Sequence, residues 1–222
     1  MFYGVTLIVY TFLYSFLYSL YLFNKKSWDI NTRIISTVNA LQCTYMVVTN
    51  MSTNYYGFLY QGNNYVINSL FCFAAYLFVD GIFYLPEVIA HPTIPGITSL
   101  LHHFIGGIGI YLMADMRVGL GLGLYFAGTE ISTPLLNLSW YTYKYNPDDK
   151  TPLFLFYLSF FMARILTIPI LIHYIYFNMT ELNQLDWVPF IMGYGGSGTL
   201  MILNILWFAM LSIKISFLNY NP

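Results

Sequence analysis

Seven runs of apolar residues set the terms on which this chain folds. They occupy roughly residues 3–23, 34–51, 66–85, 97–114, 118–138, 153–176 and 188–211. Each is about 18–25 residues long, enough for a helix to cross a hydrocarbon core about 30 Å thick. No water reaches backbone N–H and C=O groups there, so spanning helices satisfy them internally. The expected fold is therefore all-α: a polytopic membrane protein of seven transmembrane helices. Charge content agrees, because 8% of the residues are charged, against about 25% in a soluble domain. A net charge of −1 leaves no electrostatic footprint for nucleic acid. Cys43 and Cys72 both fall in apolar runs, without a disulfide framework or zinc-type spacing.

The first run lacks a basic start and a small-residue cleavage site, and Lys25 and Lys26 follow it. It reads as a retained anchor over 1–24, with the main domain over 25–216 and a short cytosolic tail over 217–222. Lys25, Lys26 and Arg33 follow run one, Lys144 and Lys150 follow run five, and Lys214 follows run seven. Alternation puts these on one side and leaves Arg117 alone opposite, which predicts an outer N-terminus and a cytosolic C-terminus. Only Asp115, Met116 and Arg117 separate runs four and five. Pro86, Pro92, Pro95, Pro147 and Pro152 fall where loops are expected.

Polar residues interrupt six of the runs. Asn39, Asp80, His102, Glu130, Arg164 and Asn204 all come out roughly 8–17 Å deep in the cytosolic half. Ionisable groups at such depth face the bundle interior, pair, or line a wet cavity. Two readings stand side by side. One is an ion-pair layer in which Asp80, Glu130 and Arg164 neutralise one another and lock the helices together. The other is a binding or catalytic site. His102 and His103, about 100° apart on a helix, cannot address one atom; one is expected to face the interior and the other a neighbouring helix or the interface. Adjacent histidines are a poor metal signal, and no metal or cofactor is expected. His91 and His173 read as interfacial.

Small residues surround this layer. Gly106 and Gly109 follow His102 on its face, Gly107 follows His103, and Gly119, Gly123, Phe126 and Asn137 share the face of Glu130. They predict either close helix packing or a cavity lined by Gly106, Gly109, Gly119, Gly123 and Phe126 that takes an acyl chain, its headgroup at the polar layer. The segment Gly193-Tyr194-Gly195-Gly196-Ser197-Gly198 has no Lys-Ser/Thr ending and lies in a span, so it is not a phosphate loop. The sequons at Asn50 and Asn178 hug the membrane on the outer side.

Several segments together resemble the TLC domain family, shared by translocon-associated TRAM proteins, longevity-assurance ceramide synthases and CLN-type proteins. They are Trp28-Asp29-Ile30-Asn31-Thr32-Arg33 with Ser36 to Ala40, Tyr76 to Asp80, the His102-His103 pair, and Glu130-Ile131-Ser132-Thr133-Pro134 with Asn137 and Trp140. Arg164 to Pro169, Leu203 to Trp207 and Lys214 to Ser216 complete the set. Within the family the chain is most similar to the members outside the synthase branch. The resemblance implies a six-helix core around a lipid-accessible cavity, an endoplasmic reticulum membrane and a role in lipid metabolism. Ceramide synthases carry a His-Asp pair ahead of the position aligned with Glu130; Phe126 and Ala127 stand there in this chain, and neither moves a proton.

Three functions follow as alternatives. The first is a non-enzymatic protein of lipid homeostasis that binds or senses a fatty acyl or sphingoid-type lipid, with Asn39, Asp80, His102, Glu130, Asn137, Arg164 and Asn204 at its headgroup. The second is a lipid N-acyltransferase using His102 or His103 as the catalytic group. The third is a membrane receptor or chaperone for client proteins. A homodimer is a further partner that the reading admits.

Overall fold

The computed structural model describes residues 3–22, 28–50, 64–177 and 187–220. Helix α1 spans Tyr3–Leu22, α2 Trp28–Asn50, α3 Asn64–Ala90 and α4 Ile94–Met116. Helix α5 is built from Leu120–Thr129, a 3₁₀ turn Glu130–Ser132 and Thr133–Tyr145. Helix α6 spans Thr151–Phe177, with a π turn at Phe161–Ile165. Helix α7 begins with Trp187–Ile191, passes a π turn at Met192–Gly196 and continues as Ser197–Tyr220. The described residues contain helices and no strand, so the all-α expectation holds. Several helices outrun the predicted spans: α5 continues past 138, and α7 passes 211 into the segment read as a tail.

Among the described residues, four helices are long and apolar enough to cross a membrane by length and composition: Asn64–Ala90, Ile94–Met116, Thr151–Phe177 and Tyr194–Ser216. Among the same residues, Ile8–Ser19 of α1 is a shorter apolar helix. Helix α2 carries Arg33, Asn39, Gln42 and Asn50. Helix α5 is broken by its 3₁₀ turn.

Helices α2 to α7 close a ring. Helix α2 packs on α3, α3 on α4, α4 on α7, α7 on α6, α6 on α5, and α5 returns to α2. Helix α1 lies outside this ring against α3 and α2. The first part of α5 also touches α3 and α4. Its Leu120, Gly121, Leu122, Gly123 and Leu124 are buried, so the ring is filled at the end where α5 begins. The outward faces are apolar. On α2, Ile34, Val38, Leu41, Tyr45 and Val48 form an exposed stripe at helical spacing, while Ile35, Asn39, Ala40 and Cys43 point inward. A stripe of this kind is tolerated where its solvent is lipid.

The tight junction of α4 and α5 works through two left-handed residues. Arg117 caps α4 at φ 56°, its N–H bonded to the Met113 carbonyl, and Gly119 opens α5 at φ 71°. Not every proline marks a loop. Pro86 lies within α3, while Pro95 and Pro152 occupy first turns, where a missing N–H costs nothing. Thr93 caps α4, its hydroxyl accepting from the Gly96 N–H at 3.2 Å.

Candidate functional site

Two prolines shape the centre of the site. Pro134 has no N–H for the Glu130 carbonyl, and the chain compensates with a tighter bond from the Thr133 N–H to that oxygen. The resulting 3₁₀ turn brings Glu130, Ser132 and Thr133, all buried, into one wall. In α6, Pro169 has no N–H for the Ile165 carbonyl. Just before it the helix widens into a π turn, with the Leu166 N–H bonded to the Phe161 carbonyl at 2.9 Å. That turn carries Arg164.

Arg164 is buried, and each of its three guanidinium nitrogens donates a hydrogen bond. Its Nε donates to Ser132 Oγ at 3.1 Å, Nη1 to Asn204 Oδ1 at 3.3 Å and Nη2 to Glu130 Oε1 at 3.2 Å. Thr133 donates to the other oxygen of Glu130 at 2.7 Å. The guanidinium also lies 5.2 Å from the Phe160 ring centre, where a cation is attracted by the aromatic face. Three helices are thus joined through a charge pair whose polar atoms are satisfied, the condition for keeping it in a low-dielectric interior.

Beside this cluster lies a cavity of about 710 Å³. His102 and His103 both border it, and His103 also packs on the neighbouring helix α3 beside Gly81. They address different carboxylates: His102 Nε2 is 3.8 Å from Glu130 Oε1, and His103 Nδ1 is 3.2 Å from Asp80 Oδ2. The reason is the position of α4 between α3 and α7. Adjacent positions straddle its inward face, one leaning toward each neighbour. The Tyr18 hydroxyl of α1 donates to Asp80 Oδ1. The rings of His102 and Trp207 meet edge to face at 5.2 Å, and Trp207 Nε1 donates to Thr98 Oγ1 at 2.8 Å.

Asn137 stands on the opposite wall beside Arg33. It accepts from Arg33 Nη1 at 3.2 Å and donates to the Arg33 carbonyl at 3.1 Å and to Thr37 Oγ1 at 2.9 Å. The Arg33 guanidinium stacks 4.1 Å from the Trp140 ring centre. Tyr18, Arg33, Ser132 and Trp207 escaped the sequence reading. Trp207 and Arg33 lay in segments that carried the resemblance, and Ser132 follows Glu130 closely. Nothing in the α1 sequence marked Tyr18.

The remaining expected residues separate. Asn204 supports Arg164. Asn39 is buried but borders neither this cavity nor the slot beside it; its Nδ2 faces Cys43 Sγ at 3.9 Å and its Oδ1 has no hydrogen-bond partner. Gly106, Gly109 and Phe126 line a narrow slot behind His102 and Glu130, with room of only about 20 Å³. That space accommodates about one water-sized group, not an acyl chain. Gly119 and Gly123 border neither space. Gly119 is needed for its left-handed turn, and a Cβ at Gly123 would come within 3.1 Å of Leu70. Close packing explains Gly123, as it does Gly107, where a Cβ would meet the Phe78 ring at 3.1 Å. His91 is exposed, and His173 packs 4.3 Å from the Phe177 ring.

An apolar exterior and a ring of helices around a cavity with charged lining are consistent with a polytopic integral membrane protein. The model of the TLC domain family matches residues 4–212, and the chain belongs to that family. The match begins within α1, the helix read from sequence as a separate anchor. Among curated proteins and among solved structures, no match was found.

Proposed function

We propose that this protein serves lipid homeostasis by holding or sensing a lipid, without turning it over, in the cavity between α3, α4 and the α2–α5 wall. TLC membership supports a lipid-related membrane function. One observation carries the finer reading: a cavity of about 710 Å³ lined by Asp80, His102, His103, Glu130, Asn137 and Arg164, within a bundle whose exterior is apolar. Polar groups at this depth suit a headgroup, and Phe156, Phe160 and Leu211 on the same lining suit the start of its chains. Phe126 and Ala127 leave a synthase-type proton relay incomplete, which favours membership outside the synthase branch. The basic residues Arg33, Lys144, Lys150 and Lys214 support a cytosolic opening, with the N-terminus lumenal and the endoplasmic reticulum as host membrane.

A second reading is favoured by one distance. His103 Nδ1 lies 3.2 Å from Asp80 Oδ2 without a hydrogen bond between them; a small turn of the ring would give a general base its orienting carboxylate. In a lipid N-acyltransferase, such a histidine would take the proton of an amine as it attacks an acyl thioester and expels the thiol. One experiment separates the two. Purified protein is extracted for lipid mass spectrometry, then incubated with long-chain acyl-CoA and a sphingoid amine. A binder carries lipid, retains it in His102→Gln and His103→Gln, and forms no amide. Amide formation by the wild type, lost in either variant, would make the binding reading wrong.

A further inference from the structure

We propose that the slot behind His102 and Glu130 binds one ordered water, held between the Ser197 hydroxyl of α7 and the Glu130 carboxylate of α5. Ser197 lines the slot, is 1% exposed, and its Oγ has no hydrogen-bond partner. Its neighbours on the same helix behave differently. Thr199, Ser212 and Ser216 donate to the carbonyls of Gly195, Phe208 and Ser212, one turn back, at 2.8, 2.8 and 2.9 Å. That bond is the ordinary recourse of a helical hydroxyl. Ser197 follows directly on the π turn Met192–Gly196, where wider winding shifts the preceding carbonyls out of phase. A hydroxyl denied its own helix and shut off from bulk solvent needs a partner from the slot.

Room and chemistry both fit water. The slot offers about 20 Å³, and one water needs about 10–15 Å³ of such space together with two to four polar partners. Ser197, Thr129, Glu130 and Asn204 all border it. Each Glu130 oxygen accepts one bond, from Thr133 and from Arg164, and a carboxylate has lone pairs for more. Asn204 accepts from Arg164 through Oδ1, which leaves its amide protons to donate. Thr129 gives its proton to the Phe126 carbonyl at 2.7 Å and keeps its lone pairs. A water here accepts from Ser197 or Asn204 and donates to Glu130. It hydrates the buried ion pair from the α7 side and ties the glycine-rich turn of that helix to α5. A slot walled only by apolar groups would stay dry; the Ser197 hydroxyl and the carboxylate separate this one from that case.

The test uses full-length protein in nanodiscs and two readouts. In the first, X-ray pulses generate hydroxyl radicals from water, bound water included, and mass spectrometry finds the side chains they mark. Phe73 and Phe126 line the slot, whereas Phe71 is buried and does not. The slot phenylalanines should be marked severalfold more than Phe71 in the wild type, and should fall to the level of Phe71 in Ser197→Ala. The second readout is thermal melting. Ser197→Ala should lower the melting temperature by about 2–4 °C, although alanine is the better helix former. Ser212→Ala, which removes a hydroxyl already satisfied within its helix, should not lower it. A melting temperature of Ser197→Ala at or above the wild type would mean that the hydroxyl had no ligand, and would overturn the proposal. Marking of Phe73 and Phe126 no greater than that of Phe71 would do the same in the wild type alone, whether or not the variant folds. Alkyl density in the slot of a high-resolution cryo-EM map, in place of a water peak beside Ser197, would assign the space to a lipid chain end and overturn it as well.

Discussion

The Arg164 guanidinium lies 3.2 Å from the Glu130 carboxylate, and this buried pair joins α6 to α5 at the one point where both helices depart from α geometry. The coincidence has a physical basis. Regular helices repeat their side-chain directions every turn, whereas the 3₁₀ and π turns shift the phase and let residues converge. The two prolines that follow, Pro134 and Pro169, make those departures inexpensive.

Removal of one partner exposes what the pair contributes. Arg164→Leu leaves Glu130 buried beside His102 without its cation, a loss of about 3–5 kcal/mol in comparable soluble cases. Arg117→Leu alters an exposed turn residue and should stay within about 0.5 kcal/mol. Expression level and melting temperature in detergent should fall clearly for Arg164→Leu and little for Arg117→Leu. Equal behaviour of the two would contradict the role of the pair.

Helix α1 is tied to the ring by Tyr18. Tyr18→Phe removes the donor to Asp80, and hydrogen bonds to charged groups contribute about 1.5–3 kcal/mol. Tyr14→Phe removes a weaker contact, 3.4 Å from Cys72 Sγ. The expected order in thermal melts is wild type, then Tyr14→Phe, then Tyr18→Phe. Melts of both variants equal to the wild type would mean that α1 is held by apolar packing alone.

Two glycines predict opposite signs. Gly119 sits at φ 71°, so Gly119→Ala should destabilise by about 1–2 kcal/mol. A Cβ at Gly198 would meet nothing within 4 Å, and that residue lies in the helical body of α7. Gly198→Ala should therefore stabilise by up to about 1 kcal/mol. Melting temperatures moving in the same direction would refute the contrast.

Orientation is open to protease protection in sealed microsomes. A tag at Met1 should be shielded from protease on the cytosolic face, and a tag at Pro222 should be cleaved. Tags on the same side would require an even number of crossings and would place the cavity differently with respect to the cytosol.

Much was legible in the sequence because lipid imposes a one-dimensional rule. Long apolar runs become helices, since backbone groups have no other partner in hydrocarbon, and ionisable residues within those runs turn inward. The helical bundle and the inward placement of Asp80, Glu130 and Arg164 follow from that rule. So does family membership, since short motifs in fixed order survive as linear pattern. The rule does not say which inward residues meet. Asn39 lies at the same nominal depth as Asp80 yet borders neither cavity nor slot, because depth fixes one coordinate and helix rotation another. The glycines near the polar layer read equally as channel or packing; only Leu70 and Phe78, arriving from α3, decide that Gly123 and Gly107 are packed. Tyr18 could not be linked to Asp80 from the sequence, because their meeting depends on how α1 lies across α3. Sequence thus determined the helices and the polarity of their faces, through hydration. Tertiary structure alone determined the partners of each charge and the shape of the space between them, because those depend on the rotation, tilt and phase shifts of helices against one another.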